Sequence, residues 1–412
     1  MKKLLFITLS HLSSGEFTIA VEFAKRLDPS KFKTLFLTSE KGEKLITDSG
    51  LDCHVLKKHF PPDPQLNRKI VLELIAGFEP DYFIHSDAYT TEYSHSWSGV
   101  LVDFFKQFNK PVVNFDEYEY PNTDYVIDYY GDYRTRVFSH LNKFDYLIRM
   151  CPINKWSPPE KNVFCTSLYS RVNPKSEQEK RDFRKKVFGL ENKKYIFTAT
   201  STWEMLNVTR LPALTQLMQW MPSILLNYLD ELGEEITLVH VGPQKWKNKQ
   251  QNVEYIHFDY MHPEMFEEYI LNANLFITTN MVSVTLSKAV YGQVPSILVT
   301  NDKVLYFDRF KEQLREMPAW YSEMAEDVKV AYPYEVFPFG WKSLLKVVLN
   351  NNTYTDCLVR APLFQRTKLI NLFKKYLNDE TAITMLKKSQ AGYVESVLGL
   401  TSPDQIVEAW AK

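Results

Sequence analysis

Short apolar runs alternate with amphipathic segments along most of the chain. The first apolar run covers residues 4–9, and residues 15–27 follow with Phe17, Ala20 and Phe23 at the three- and four-residue spacing of a helix. Further strand-like runs cover residues 33–38, 52–56, 82–85, 111–114 and 144–149. Apolar strands that alternate with helices are typical of a parallel sheet covered on both faces. The first part of the chain is therefore predicted to form a doubly wound α/β unit.

A second series of the same kind follows a polar stretch. Residues 152–159 and 172–186 are rich in proline, asparagine, serine and charge, and we place the passage between two units there. A helical region over residues 209–229 is expected to break or kink at Pro222. Strand-like runs then cover residues 195–199, 236–241, 254–258, 275–279 and 296–300. The pattern predicts an α/β fold with two Rossmann-like domains, over residues 1–175 and 176–380, and C-terminal helices over residues 381–412.

Composition and charge narrow the class of protein. The 412 residues include 49 Lys plus Arg and 50 Asp plus Glu, a net charge of −1, without the basic excess of a nucleic-acid binder. No apolar run approaches the ~20 residues that span a bilayer, and residues 1–7 are interpreted as a buried strand rather than a signal peptide. The four cysteines are widely spaced and form no CxxC pair, which favours a reducing compartment. We therefore expect a cytoplasmic protein.

Two common nucleotide motifs are missing. The residues after the first strand, 10–16, are SHLSSGE, which does not match the GxGxxG pattern, and no GxxxxGK[ST] pattern occurs. An NAD enzyme or a P-loop kinase is therefore disfavoured. Two doubly wound sheets still form a cleft at the carboxyl ends of their strands, where ligands bind in this architecture, and this favours a nucleotide or nucleotide-sugar enzyme.

Residues 273–295 carry the most specific local pattern. A buried strand leads into a helix that begins near Ser283 and Thr285, and a short turn and Pro295 lead into the next strand. The unpaired N–H groups and positive dipole at a helix start suit a diphosphate. The alternative is that Ser283 only caps the helix.

This segment resembles the donor-binding motif of the GT-B glycosyltransferases, and the two-unit layout is similar to their fold. The resemblance implies two domains facing a cleft and a last helix that crosses back to the first domain. It also implies a nucleoside diphosphate sugar as co-substrate, with no further cofactor and no metal. Met281 and Val282 stand where the family has paired glycines, and Lys288 stands where many members have an acid. A lysine at that position could pair with phosphate instead.

The resemblance also implies which residues form each side of the cleft. The donor side is expected to comprise Thr200, Ser201, Thr202, Gly242, Tyr260, Met281, Val282, Ser283, Thr285 and Lys288. The acceptor side is expected to comprise Ser14, Asp116, Glu117, Tyr118 and Tyr120, within or near a stretch rich in tyrosine and acids at residues 115–133. Tyrosines suit stacking on an acceptor, and carboxylates suit its hydroxyls or an amine. The alternative is an irregular surface segment partly buried by its aromatic side chains.

His11 is the candidate base, because inverting members of the family deprotonate the acceptor from the N-terminal domain. An imidazole with a pKa near ~6.5 accepts a proton at neutral pH, and Asp87, after the run 82–85, is expected to orient it. Asp116 and Glu117 are the reserve partners. The alternatives are a structural role for His11 beside Ser13 and Ser14, or a retaining mechanism that relies on Lys288 and Arg210.

Together these observations predict a hexosyltransferase that moves a sugar from a nucleoside diphosphate sugar to a small-molecule or glycan acceptor. Its expected partners are these two substrates and no nucleic acid, with a homodimer as one assembly the sequence allows. Two alternatives stay open: a nucleotide-sugar 2-epimerase, and a non-catalytic GT-B-like binding protein.

Overall fold

The computed structural model describes the chain except residues 12, 120–125, 130–132, 137–143, 158–159, 190, 192, 203, 205–211, 248–249, 335–341 and 411–412. It also leaves out the side chains of residues 126–129, 133–136, 212–214, 311 and 342–344.

The N-terminal domain is built on a seven-stranded parallel sheet. The strands of this half are β1 (Lys2–Thr8), β2 (Phe32–Ser39), β3 (Cys53–Leu56), β4 (Tyr82–His85), β5 (Val112–Phe115), β6 (Val126–Tyr129), β7 (Tyr133–Arg136), β8 (Tyr146–Cys151) and β9 (Val163–Ser167). The sheet order is β3-β2-β1-β4-β5-β8-β9, and β6 pairs with β7 as a separate antiparallel hairpin. The helices are α1 (Gly15–Ala24), α2 (Glu40–Asp48), α3 (Pro64–Phe78), α4 (Ala88–Ser98) and α5 (Val102–Lys106). Residues 4–7 of β1 are all fully buried, which explains the unbroken apolar run.

The C-terminal domain repeats this arrangement with six parallel strands. Its strands are β10 (Lys194–Ala199), β11 (Ile236–Val241), β12 (Val253–Phe258), β13 (Leu275–Thr278), β14 (Ser296–Thr300), β15 (Leu305–Tyr306), β16 (Val330–Ala331) and β17 (Val359–Pro362). The sheet order is β12-β11-β10-β13-β14-β17, and β15 pairs with β16 separately. The helices are α6 (Glu177–Phe188), α7 (Pro212–Asp230), α8 (Pro263–Leu271), α9 (Val284–Tyr291), α10 (Lys311–Leu314), α11 (Ala319–Val328) and α12 (Lys342–Leu349), with 3₁₀ turns at Phe307–Phe310 and Thr353–Cys357. Both domains are thus doubly wound, as predicted.

Three local predictions differ from the structure. The stretch placed between the domains contains α6, which begins with a capping box between Ser176 and Glu179. Its strongly charged sequence hid it, because only three of its residues are buried. Strand β9 adds a seventh strand to the first sheet, and α7 continues through Pro222 without a break.

The chain ends with three helices, α13 (Arg366–Asn378), α14 (Glu380–Leu398) and α15 (Pro403–Ala409). The last of them lies against the first sheet. The Trp410 ring stacks on Tyr146 with centroids 5.6 Å apart, and the Tyr146 hydroxyl donates to the Trp410 carbonyl at 3.0 Å. The Asp404 carboxylate accepts from the Asp28 backbone N–H at 2.9 Å. One hydrophobic cluster therefore contains residues of both sheets and of the C-terminal end.

Among the helices that the structure describes, none has both the length and the apolar composition needed to cross a membrane.

Candidate functional site

The carboxyl ends of the two sheets open onto one cavity of about 920 Å³. Its N-terminal wall is formed by residues that follow β1, β4 and β5, from the ranges 10–18, 87–94 and 117–118. Its C-terminal wall is formed by residues that follow β10, β11 and β13, from the ranges 199–204, 241–243 and 280–288. Ligands of open α/β sheets bind at this position, so the cavity is the candidate site.

Helix α2 bridges the two walls. The Lys41 ammonium donates to the Thr202 hydroxyl at 2.9 Å, and the Tyr260 hydroxyl donates to Asp48 at 2.8 Å. The Lys44 ammonium lies 4.1 Å from the centre of the Tyr260 ring, a cation–π distance. Tyr260, predicted on the donor side, therefore lies at the cavity and contacts the opposite domain.

The start of α9 lies at the cavity, as the pattern in residues 273–295 predicted. Ser283 caps the helix, because its hydroxyl accepts from the N–H groups of Thr285 at 3.2 Å and Leu286 at 3.4 Å. Val282, Ser283 and Thr285 line the cavity. Met281 does not: it is 1% exposed and packs in the core. Burial of this large apolar side chain is favourable, which explains why Met281 lies in the core and not at the cavity.

Lys288 lines the same cavity but already has partners. Its ammonium forms an ion pair with Glu267 at 2.8 Å and lies 3.9 Å from the centre of the Tyr169 ring. A diphosphate would have to compete with the Glu267 carboxylate for this charge.

The loop after β10 and the turn after β11 contact each other. The Thr200 hydroxyl is 2.8 Å from Nε2 of His240, and burial lowers the pKa of His240 to about 3. A Cβ on Gly242 would lie 2.2 Å from the Thr200 hydroxyl and 2.7 Å from His240 Nε2, so only glycine fits there. Ser201 and Thr202 also line the cavity, so the predicted residues of this loop are brought together.

Replacing Gly242 with alanine should lower the free energy of unfolding by about 1–3 kcal/mol, because the added methyl group overpacks the Thr200–His240 contact. Denaturant unfolding measures this loss. The control is Gly77→Ala in α3, where a Cβ meets nothing within 4 Å and alanine should stabilise the helix by about 0.5–1 kcal/mol. Equal stability of Gly242→Ala and the parent protein would contradict the close contact.

Glu204 is a buried acid at the C-terminal wall that the sequence did not indicate. It is 5% exposed, burial raises its pKa to about 7, and the Asn280 amide donates to it at 3.5 Å. It lines the cavity together with Ser201 and Asn280. A carboxyl group that titrates near neutral pH in a cleft is a candidate functional group.

His11 lies at the N-terminal wall, where it was predicted. Its Nδ1 is buried with no hydrogen-bond partner among the described residues, and its ring packs edge-on against Trp97 with centroids 6.1 Å apart. Burial lowers the pKa of His11, and the charges of Lys58 and Lys41 lower it further. The imidazole is therefore neutral at pH 7 and can accept a proton.

The predicted pairing of His11 with Asp87 is not formed. Among the described contacts, none joins the two side chains, and Asp87 instead caps α4 by accepting from the Tyr89 N–H at 2.8 Å. Asp87 lies directly before α4, where an aspartate side chain commonly caps the first turn of a helix.

Three acids form a cluster on the N-terminal wall, which we call the carboxyl cluster: Glu16, Asp87 and Glu117. Glu16 accepts from the Ser10 N–H at 2.7 Å and from the Thr90 hydroxyl. Burial and the nearby Asp87 raise the pKa of Glu16 to about 8. Burial, Asp87 and Glu16 raise the pKa of Glu117 well above its usual range. The sequence did not indicate Glu16, because an acid in the first turn of a helix is ordinary.

The side chains of neighbouring residues after β5 point in different directions, some into the cavity and one into the core. Glu117 and Tyr118 line the cavity, whereas Asp116 is fully buried and pairs with Arg149 at 3.2 Å. The predicted acceptor contact of Asp116 is therefore not formed, because its carboxylate points to the neighbouring strand β8. Ser14 lines the cavity, and Tyr120 lies outside the described residues. Tyr89 and Tyr93 also line it and were not predicted, since only the helical turn of α4 places them there.

Two facing parallel-sheet domains and a C-terminal helix that returns to the first sheet define the GT-B fold. The spinosyn forosaminyltransferase SpnP aligns over 100% of both chains with a TM-score of 0.58 and 11% identity. The spinosyn rhamnosyltransferase SpnG, complexed with thymidine diphosphate, aligns over 100% of both chains with a TM-score of 0.56 and 11% identity. HepE of Anabaena, in complex with UDP and glucose, aligns over 100% of both chains with a TM-score of 0.52 and 11% identity. These likenesses establish the shared fold.

The chain belongs to the family DUF6365, described as a family of unknown function, whose model matches residues 23–412. No curated protein matches the chain in sequence.

Proposed function

We propose that the protein is a glycosyltransferase that moves a hexosyl group from a nucleoside diphosphate sugar to a small-molecule or glycan acceptor. The observation that carries the proposal is the cavity between the two sheets, with a helix start and hydroxyls on one wall and a neutral imidazole on the other. Three proteins of like fold support the proposal: SpnG is a rhamnosyltransferase, SpnP is a forosaminyltransferase, and HepE binds UDP and glucose.

The donor diphosphate would bind the C-terminal wall. Ser201, Thr202 and Thr285 line it, and the positive end of the α9 dipole favours an anion. Lys288 and Lys41 would supply cations, the first by exchanging its Glu267 partner for phosphate. No cofactor beyond the donor and no metal enters this proposal.

Transfer would proceed by direct displacement. His11 would accept the proton of the acceptor hydroxyl while the acceptor oxygen forms a bond to the anomeric carbon. The bond from that carbon to the diphosphate oxygen breaks, and the nucleoside diphosphate leaves with the bonding electrons. A half-buried, neutral imidazole at the cavity suits this role.

Thermal unfolding against UDP, GDP, CDP, dTDP and their sugars tests the donor site. At about 100 times its Kd, the correct nucleotide should stabilise the protein by ~2.7 kcal/mol and raise the melting temperature. AMP is the control nucleotide, since it has no diphosphate. No stabilisation by any nucleoside diphosphate would favour the non-catalytic alternative, for which Met281 in the core and the Lys288–Glu267 pair are the structural support.

The carboxyl cluster favours one second candidate, a nucleotide-sugar 2-epimerase, because that chemistry uses several acids in the cleft. Incubation with a nucleotide sugar alone separates the two. An epimerase converts the sugar at C2 without an acceptor, whereas the proposed transferase leaves its configuration unchanged until an acceptor is added.

A further inference from the structure

We propose that the N-terminal wall selects a cationic acceptor, one that carries an ammonium or guanidinium group, and binds that group between Glu117 and Asp87. This inference rests on the proposed function only where it calls the cationic ligand an acceptor. Binding of a cation at this site can be tested without that function.

The first observation is an unsatisfied carboxyl oxygen at the cavity. Glu117 is 9% exposed and lines the cavity, and its Oε1 has no hydrogen-bond partner among the described residues. A buried acceptor atom without a donor costs free energy that a ligand N–H can recover. The Glu117 carboxyl group therefore keeps one acceptor atom unsatisfied beside the cavity, and a ligand N–H that reaches this atom would supply the missing donor.

The second observation is the sign of the surrounding charge. Among the described residues, the charged groups with the largest effect on the Glu117 carboxyl are Asp87, Glu16 and Asp116, and all three are acids. Asp116 already pairs with Arg149, and Lys41 acts on Glu16 from α2 while it also bonds to Thr202. Buried carboxylates need an opposite charge. Without one, burial and the neighbouring acids raise the pKa of Glu117, and a bound cation would lower this pKa again.

The third observation favours an organic cation over a metal ion. Within the described chain, no group of three His, Cys, Asp or Glu side chains has the arrangement to hold a metal. The cavity beside the cluster is lined instead by Tyr89, Tyr93 and Tyr118. Aromatic rings next to carboxylates are a favourable setting for ammonium and guanidinium groups.

Matched pairs of small probes test the inference by NMR titration. Tyramine and tyrosol differ only in an ammonium against a hydroxyl group, as do glucosamine and glucose at C2. Because hydrogen bonds to charged groups contribute about 1.5–3 kcal/mol, the amine should bind about ten- to a hundredfold more tightly than the alcohol. Equal affinities within both pairs would overturn the inference.

Two substitutions locate the effect. Glu117→Gln has the shape of the protonated carboxyl, and Asp87→Asn keeps a residue that caps helices well, so both variants should fold. Each should reduce the preference for the amine at least tenfold. The control is Glu264→Gln, the same change at an exposed cavity residue of the other domain, which should keep the full preference. An unchanged preference in Glu117→Gln would refute the assignment.

Parallel thermal scans distinguish this failure from failure of the proposed function. Stabilisation by a nucleoside diphosphate with no amine preference would reject the cationic acceptor and keep the transferase. Amine preference without stabilisation by any nucleotide would keep the cationic site and reject the transferase. A rise in melting temperature with Mg²⁺ or Mn²⁺ that Glu117→Gln abolishes would make the cluster a metal site and overturn the inference.

Discussion

His11→Ala should lower the rate of sugar transfer by about 10²- to 10⁴-fold, the usual contribution of a general base. Nucleotide affinity should stay nearly unchanged, because the helix start and the residues Ser201, Thr202 and Thr285 that are proposed to hold the diphosphate lie on the opposite wall. Initial rates with saturating donor measure the first effect, and the nucleotide-induced rise in melting temperature measures the second. Loss of both would indicate that the ring supports the cleft instead of acting in the reaction.

The dependence of this rate on pH provides a second readout. The neutral imidazole is the active form, and burial with Lys58 and Lys41 lowers the pKa of His11 below 6.5. Activity should therefore persist at pH 7 and fall only below about pH 6.5. Lys58→Gln removes one repelling charge, raises the pKa of His11 and moves the acid limb to higher pH. Lys57→Gln, at the neighbouring position, is the control. If the acid limb of the pH–rate profile lies at the same pH in both variants, His11 is not the titrating base.

Arg149→Met should produce the largest loss of stability, about 3–5 kcal/mol, because it leaves two buried carboxylates without their cation. Arg149 is 1% exposed and lies 3.2 Å from Asp116 and 3.7 Å from Glu119, which are also buried. Denaturant unfolding at pH 7 measures the loss.

Arg171→Met is the matched control for this change. Arg171 pairs with Glu395, but both side chains are more than half exposed, so its replacement should lower the free energy of unfolding far less than Arg149→Met does. Equal losses in the two variants would mean that the buried ion pair contributes no more than a surface pair.

The layered fold was predictable because buried parallel strands are uniformly apolar. Residues 4–7 have no polar position, and this pattern recurs in both halves of the chain. Helix α6 was not predictable from its strongly charged sequence, since its apolar contacts with the core come only from Phe183, Val187 and Phe188.

The site was only partly predictable, because the end of a strand shows where a residue lies along the sheet edge but not where its side chain points. Four residues that follow a strand or begin a helix lie at the cavity, as predicted from those positions: His11, Asp87, Glu117 and Ser283. The sequence could not tell that Glu117 points into the cavity while its neighbour Asp116 points away. That difference depends on Arg149, which comes from strand β8, 33 residues further along the chain.

The return of the last helix to the first sheet has a consequence for making chimeras. Trp410 packs on Tyr82 and Tyr146, with ring centroids 5.2 Å and 5.6 Å away, so the N-terminal domain is completed by residues from the far end of the chain. A fragment that stops at residue 175 would expose these rings. A hybrid with another GT-B protein would therefore need to inherit residues 1–175 and 403–410 from the same parent, although the rest of the chain separates them.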